Sequence, residues 1–242
     1  MSGLAEREIE LRQHRAYGRL AADHTQCSSL EDSLCIVKGR DALLAHWVAR
    51  GSQEVSITAG LGEMVAFTVS DGQRRWPAHR WVTREQGRIL REILVEDSGF
   101  ARLAPPDHPP LGELRAGQGQ FPAGETAKLP PDFPAAARPL AHDLHVAWNG
   151  RAFDRFTADW LGLTVATLPD ATFYFERACV EEDRIALLWR VFGHHANGQR
   201  IRLIGSSLFT IAQSGEFGCD ETVLDHAALA AQINRPLLDY SA

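Results

Sequence analysis

Carboxylates, histidines and arginines recur on alternate positions of strand-like segments in this chain. Asp220 and Thr222 stand two apart, His194-His195 precede an Asn197-Gly198 turn, and Glu63, Arg80 and Glu92 fall on three successive segments. A carboxylate such as Asp220 serves as a general base when its surroundings raise its pKa towards neutrality. The two adjacent histidines cannot both ligate one metal, because neighbouring strand residues point to opposite faces, and no metal site is expected. No Walker loop, dinucleotide fingerprint, HExxH or nucleophile elbow occurs, so no cofactor is expected either.

Turn chemistry predicts which of these residues meet. In the carboxy-terminal half a two-residue Asn197-Gly198 loop sets His195 opposite Arg200, Trp189 opposite Ser206 and Leu187 opposite Leu208. A three-residue loop at 213–215 then sets Leu208 opposite Asp220 and Ser206 opposite Thr222. One face is expected to carry Trp189, His195, Ser206, Asp220 and Thr222; the other carries Leu188, Leu203, Phe209 and Val223. In the amino-terminal half, Asp71-Gly72 sets Glu63 opposite Arg80, and a loop at 85–87 sets Arg80 opposite Glu92. The resulting Glu63, Arg80, Glu92 row reads first as a structural ion-pair row and second as a receptor for a polar ligand group. Trp76 and Trp189 read first as core and second as walls for a flat ligand.

The elements that must position these residues follow one order twice. Helical patterning over 5–24 and 40–49, with capping-box spacing at 28–32, gives way after Gly51 to strands near 55–58, 63–70, 73–84 and 88–97. A helix from about Pro139, a break at Gly150 and a second helix through Phe153, Phe156 and Trp160 precede strands near 171–180, 184–195, 199–212 and 216–224, then a short helix at 225–233. Nine of the twelve prolines lie from Pro105 to Pro139. A long proline-rich connection is natural between domains and not inside one. The expected division is a domain over 1–104, a linker over 105–138 and a domain over 139–242, each with helices followed by a strand meander, which defines an α+β class.

Bulk properties narrow the partners. With 242 residues, 45% hydrophobic and 23% charged, the chain has material for two cores. A net charge of −6 and the lack of a basic cluster argue against nucleic acid. No apolar run is long enough to span a membrane and the amino terminus is acidic, so a cytoplasmic protein is expected. The four cysteines, without CxxC spacing, are read as buried small apolar residues.

The stretch Arg184 to His195, followed by Ile204-Gly205-Ser206 and Asp225 to Ile233, resembles the SnoaL-like polyketide cyclase branch of the nuclear-transport-factor-2-like superfamily. So do Trp148-Asn149-Gly150, Phe153-Asp154 and Pro169-Asp170-Ala171 and, more weakly, residues 39–43 and 81–92. The resemblance implies two cones, each a curved antiparallel sheet wrapped around helices and an apolar cavity; the apolar outer sheet face then needs a partner, and the halves are expected to cover each other's as an intrachain pseudo-dimer. Carried over by position, the cyclase aspartate falls on Thr222 and the histidine on Leu208; in the other half they fall on Leu94 and Arg80. Neither pair moves a proton as the cyclase pair does. His195 matches a histidine in the family's Gly-x-His stretch, as a pocket-rim residue or a solvated turn residue. Few residues separate Leu161 from Asp170, where the family places a cavity-closing helix, so the second cavity should be small, open or plugged.

Two functional readings follow. In the first, one cone binds a small, mostly apolar organic molecule and, if it is catalytic, converts it by isomerase, cyclase or lyase-type proton transfer, with Asp220 or the Glu92 and Glu63 carboxylates as base. Its contacts would be Trp189, His195, Ser206, Thr222, Glu63, Trp76 and Arg80. In the second, the cavities are filled and the fold is a noncatalytic interaction module. Self-association into a homo-oligomer is open in both.

Overall fold

A computed structural model describes residues 3–32, 36–97, 129–151 and 164–233. Helices α1 (Gly3–Arg12) and α2 (Tyr17–Asp23) precede β1 (His24–Glu31), β2 (Ile36–Lys38) and α3 (Arg40–Arg50). A meander follows: β3 (Glu54–Leu61), β4 (Met64–Ser70), β5 (Arg75–Glu85) and β6 (Arg88–Glu96). The second part contains α4 (Arg138–Asn149), β7 (Thr172–Glu181), β8 (Arg184–His194), β9 (Arg200–Ile211), β10 (Phe217–Leu224) and α5 (His226–Ile233). The strands form a six-stranded sheet of order β2-β1-β6-β5-β4-β3 and a four-stranded sheet of order β10-β9-β8-β7. The protein is α+β. The proline-rich stretch up to residue 128 and the helix expected through Phe153, Phe156 and Trp160 lie outside the described residues.

Two expectations for the first part are corrected. The helix over 5–24 is broken by a turn with Arg15 at φ 53°. The segment expected to cap a helix is β1, which pairs in parallel with β6, so the first sheet is mixed and not antiparallel throughout. Its small polar residues bond along the sheet: the Ser28 hydroxyl donates to the Ile89 carbonyl at 2.6 Å and accepts from the Thr25 N–H at 2.8 Å. Ser and Thr serve caps and strand irregularities by the same side-chain bonds, so spacing alone does not separate the two.

Each sheet packs its inner face against its own helices. In the first part Leu4 and Leu11 of α1 and Leu43 and Trp47 of α3 join Val65, Phe67, Val69, Trp76, Ala78 and Leu94 in one core. In the second, Leu140, Leu144 and Trp148 of α4 and Leu229 of α5 join Phe173, Phe175, Leu187, Trp189, Val191, Leu203 and Phe209. The outer faces meet in a third cluster drawn from both sheets, including Leu61, Met64, Trp81, Ile93 and Val95 on one side and Ala186, Leu188, Ile204, Leu208 and Val223 on the other. Cys179 packs against this cluster, whereas Cys27 and Cys219 are exposed, contrary to the expectation that the cysteines are buried.

Registers decide which side chains share an interior. At the β4–β5 turn Asp71 accepts from the N–H groups of Gln73 and Arg74 at 3.0 and 2.8 Å, which moves the turn so that Phe67 faces Ala78 and Val65 faces Arg80. This is a two-residue shift from expectation, and faces are kept. The β8–β9 loop is one residue longer than Asn197-Gly198 implies. The His195 N–H donates to the Gln199 carbonyl at 2.9 Å, and Gly198 at φ 84° closes a three-residue loop. Trp189 therefore faces Gly205 and Leu188 faces Ser206. A one-residue slip turns every side chain of β9 over, which sends Ser206 and Leu208 to the seam and Leu203 and Phe209 to the interior. A bulge at residue 220 then sets Thr222 opposite Ser207 instead of Ser206.

Candidate functional site

Inside the first sheet a network of charged side chains replaces part of the expected apolar lining. Helix α1 sends Arg7, Glu8 and Arg12 inward together with Leu4 and Leu11, because residues three and four apart share a helix face. β5 contributes Arg80, and β6 contributes Glu92 and Glu96; all three are buried, at most 3% exposed. Arg7 donates to Glu92 at 2.6 Å and to Asp23 at 3.1 Å. Arg12 donates to Glu8 and to the Gln53 side-chain carbonyl, each at 2.5 Å. Arg50, from the end of α3, pairs with Glu96 and lies 3.8 Å from Asp32. The His24 ring nitrogen Nε2 is 3.0 Å from Glu92.

Arg80 is the least satisfied member. Its Nε lies 3.0 Å from Glu8 and its Nη1 3.6 Å from Glu92, close enough to attract. None of its three guanidinium nitrogens makes an in-line hydrogen bond. The group stacks 4.5 Å from the Trp47 ring centre, which Arg12 and Arg50 also approach at 5.1 and 5.0 Å. Burial lowers the Arg80 pKa to about 10 despite Glu8 and Glu92 beside it. Burial alone would raise the Glu96 carboxyl, but Arg50 and then Arg12 outweigh it and hold the group at about 2. Glu92 is held well below the carboxylate range by Arg7 and Arg80 against the same opposing burial. His46 is lowered to about 4 by burial and by the charge of Arg50.

The interior of the second part is aromatic. Trp148 packs against Phe173, Phe175 and Trp189 with ring centres 5.3, 5.5 and 5.4 Å away. Trp189 donates to Ser207 at 3.0 Å, and Ser207 meets Thr222 at 2.8 Å. Gly205 lies directly beneath the indole: a Cβ there would stand 2.1 Å from the Trp189 ring.

The predicted site residues thus fall in four places. Arg80, Glu92 and Trp76 share the charged interior, with the Trp76 indole N–H 3.4 Å from Glu96. Glu63 leaves the row; it pairs at 2.5 Å with Arg177 of the second part, and Glu8 takes its place beside Arg80. Trp189 and Thr222 share the aromatic interior. Ser206 is in the seam, contacting His79 at 2.8 Å and accepting from the Trp81 indole at 3.0 Å. Asp220 is exposed and accepts from Thr210 at 2.5 Å, and His195 is half-buried in its turn. Of the positions carried over from the cyclase pair, Arg80 and Leu94 are directly opposite each other. Thr222 and Leu208 lie on different faces, the latter in the seam cluster.

Sequence reading missed Arg7, Glu8, Arg12, His24, Arg50 and Glu96. The available signal was Glu8 and Arg12, four apart and in phase with Leu4 and Leu11, which places charge on an apolar helix face. It also missed a second network across the seam, where Glu31 binds Arg91, Arg190 and Arg202 while Glu176 binds Arg91 and Arg190. These residues are too far apart in sequence for any local pattern.

No protein-family model matches the sequence, and no curated protein is significantly similar to it. Among solved structures, parts of the chain are similar to AclR of Streptomyces galilaeus, a proposed hydroxylase, at 17% identity and TM-score 0.34, over 42% of this chain and 87% of that one. A proposed polyketide cyclase of Bacillus cereus is similar at 12% identity and TM-score 0.35, over 48% of this chain and 94% of that one. A proposed SnoaL-like polyketide cyclase of Jannaschia is similar at 22% identity and TM-score 0.28, over 32% of this chain and 59% of that one. Among the described residues no helix is long and apolar enough to cross a membrane.

Proposed function

We propose that the chain is a ligand-binding protein in which the amino-terminal interior, not the carboxy-terminal one, receives a small organic molecule. Arg80 carries this reading: a fully buried guanidinium with no in-line hydrogen bond costs stability unless a further group completes it. Val65, Phe67, Trp76 and Leu94 supply apolar wall on the same face, consistent with a mostly apolar ligand body. The interior of the second part, filled by Trp148, Phe173, Phe175 and Trp189, supports a structural role there. On this reading residues 1–104 and 139–242 are the halves of an intrachain pseudo-dimer, joined through the seam cluster, and only the first keeps a site.

The electrostatics favour binding over proton abstraction. A carboxylate held as low as Glu92 is a weak base at neutral pH, so its role is to fix Arg80 and Arg7. Asp220 opens to solvent at the bulge and belongs to neither interior. The test is native mass spectrometry of the full chain purified from its own cells. A retained small molecule that is lost in Arg80→Lys is expected. A chain that carries nothing and binds nothing from a metabolite library would leave the noncatalytic module, with both interiors filled, as the function.

A further inference from the structure

Resting on the ligand-binding reading above, we infer that the ligand presents a carboxylate to Arg80: the site takes a small organic acid with an apolar body. The argument is a donor count. Among the described residues around Arg80, the buried atoms without an in-line hydrogen bond are Arg80 Nε, Nη1 and Nη2, Arg7 Nη1, Arg12 Nη2 and Trp47 Nε1 on the donor side, against Glu8 Oε2 and Glu92 Oε2 on the acceptor side; of these donors Arg80 Nε and Nη1 and Arg12 Nη2 lie 3.0, 3.6 and 3.7 Å from carboxylates. Guanidinium and indole nitrogens donate and never accept. A ligand hydroxyl or amide would bring further donors into a place that already has too many. A carboxylate brings none and offers two oxygens with about four lone-pair positions, the acceptor that matches a guanidinium fork.

The sharing of these carboxylates points the same way. Each Arg80 carboxylate neighbour is also engaged by another arginine, Glu8 by Arg12 at 2.5 Å and Glu92 by Arg7 at 2.6 Å. Arg80 is therefore the guanidinium with the weakest claim on its neighbours, and a ligand anion competes for it without displacing an in-line bond. Trp47 closes one side of the guanidinium by stacking, so the anion must approach in the guanidinium plane, where the N–H groups point. A small anion without an apolar body would lose its hydration for the same contacts but gain nothing from Phe67, Trp76 and Leu94.

Isothermal titration of the full chain with phenylacetate and hexanoate, against phenylacetamide and hexanamide at constant ionic strength, tests this. The acids should bind roughly tenfold or more tightly than their amides, a difference set by charge-assisted bonding. Arg80→Lys should cut that preference severalfold, because a lysine ammonium keeps the charge but cannot offer the planar fork. Should Arg80→Lys fail to fold, Trp47→Phe keeps the ring but removes one donor, and the acids alone should weaken. Equal binding of acids and amides, or acid binding unchanged in both variants, overturns the carboxylate assignment while leaving a ligand site in place. If neither class binds wild type at millimolar concentration, the carboxylate assignment and the binding site both fall.

Discussion

The two sheets of this chain bury the same kind of surface with opposite chemistry. Behind α1 the first sheet holds four arginines against Glu8, Glu92, Glu96 and Asp32, nearly all out of contact with water. Behind α4 the second holds interlocked aromatic rings. An aromatic interior gains stability from each buried ring. A charged interior gains little net stability, since desolvation offsets attraction. The contrast separates a half held by apolar packing from one held partly by buried ion pairs.

The sharpest way to break the comparison is Arg80→Ala. It leaves Glu8 and Glu92 buried with one cation fewer, and unfolding free energy by urea titration should fall by roughly 3–5 kcal/mol. A loss under about 0.5 kcal/mol would mean that the interior is wet and the charges are solvated. Acid should strike the same half next. His46 has a folded pKa of about 4, below the ordinary value near 6.5, so the unfolded chain binds the extra proton and stability declines as pH falls through that window. Glu96, lowered from 4.5 to about 2, adds stability that is present above pH 4.5 and lost as pH falls towards 2. Tryptophan fluorescence between pH 7 and 2 should show loss of the Trp47 and Trp76 environment before that of Trp148 and Trp189, measured in single-tryptophan-group variants.

Gly205→Ala probes the other half. The added methyl group collides with Trp189, whose ring is held by Trp148 and Phe173, and overpacking of this kind costs about 1–3 kcal/mol. Its effect should be on stability alone, with the organic-acid binding proposed for the first half unchanged. Glu63→Gln should have the smallest effect. Its carboxylate is 47% exposed and its partner Arg177 also bonds the Val82 carbonyl and Thr83, so thermal denaturation should move by the equivalent of about 0–1 kcal/mol.

Strand order within each meander was legible in sequence because period-two patterning and Asp-Gly, Gln-Gly and Asn-Gly turns carry it locally. The site was only partly legible. Arg80 and Glu92 were placed together because the registers on β4, β5 and β6 erred by even steps, which preserve faces. Ser206 was placed with Trp189 because the β8–β9 loop erred by one, which reverses them.

By itself the sequence determined the α+β class, the alternation that makes each strand two-faced, and the common face of Arg80 and Glu92, although Arg80 stands opposite Leu94 and not Glu92. Those follow from short-range geometry. Only the tertiary structure decided that α1 delivers Glu8, Arg7 and Arg12 to Arg80, that β1 runs parallel beside β6, and that Glu63 turns to the other sheet. Each depends on contacts between segments distant in sequence. There, the energy of burying a charge is settled by partners that no local pattern names.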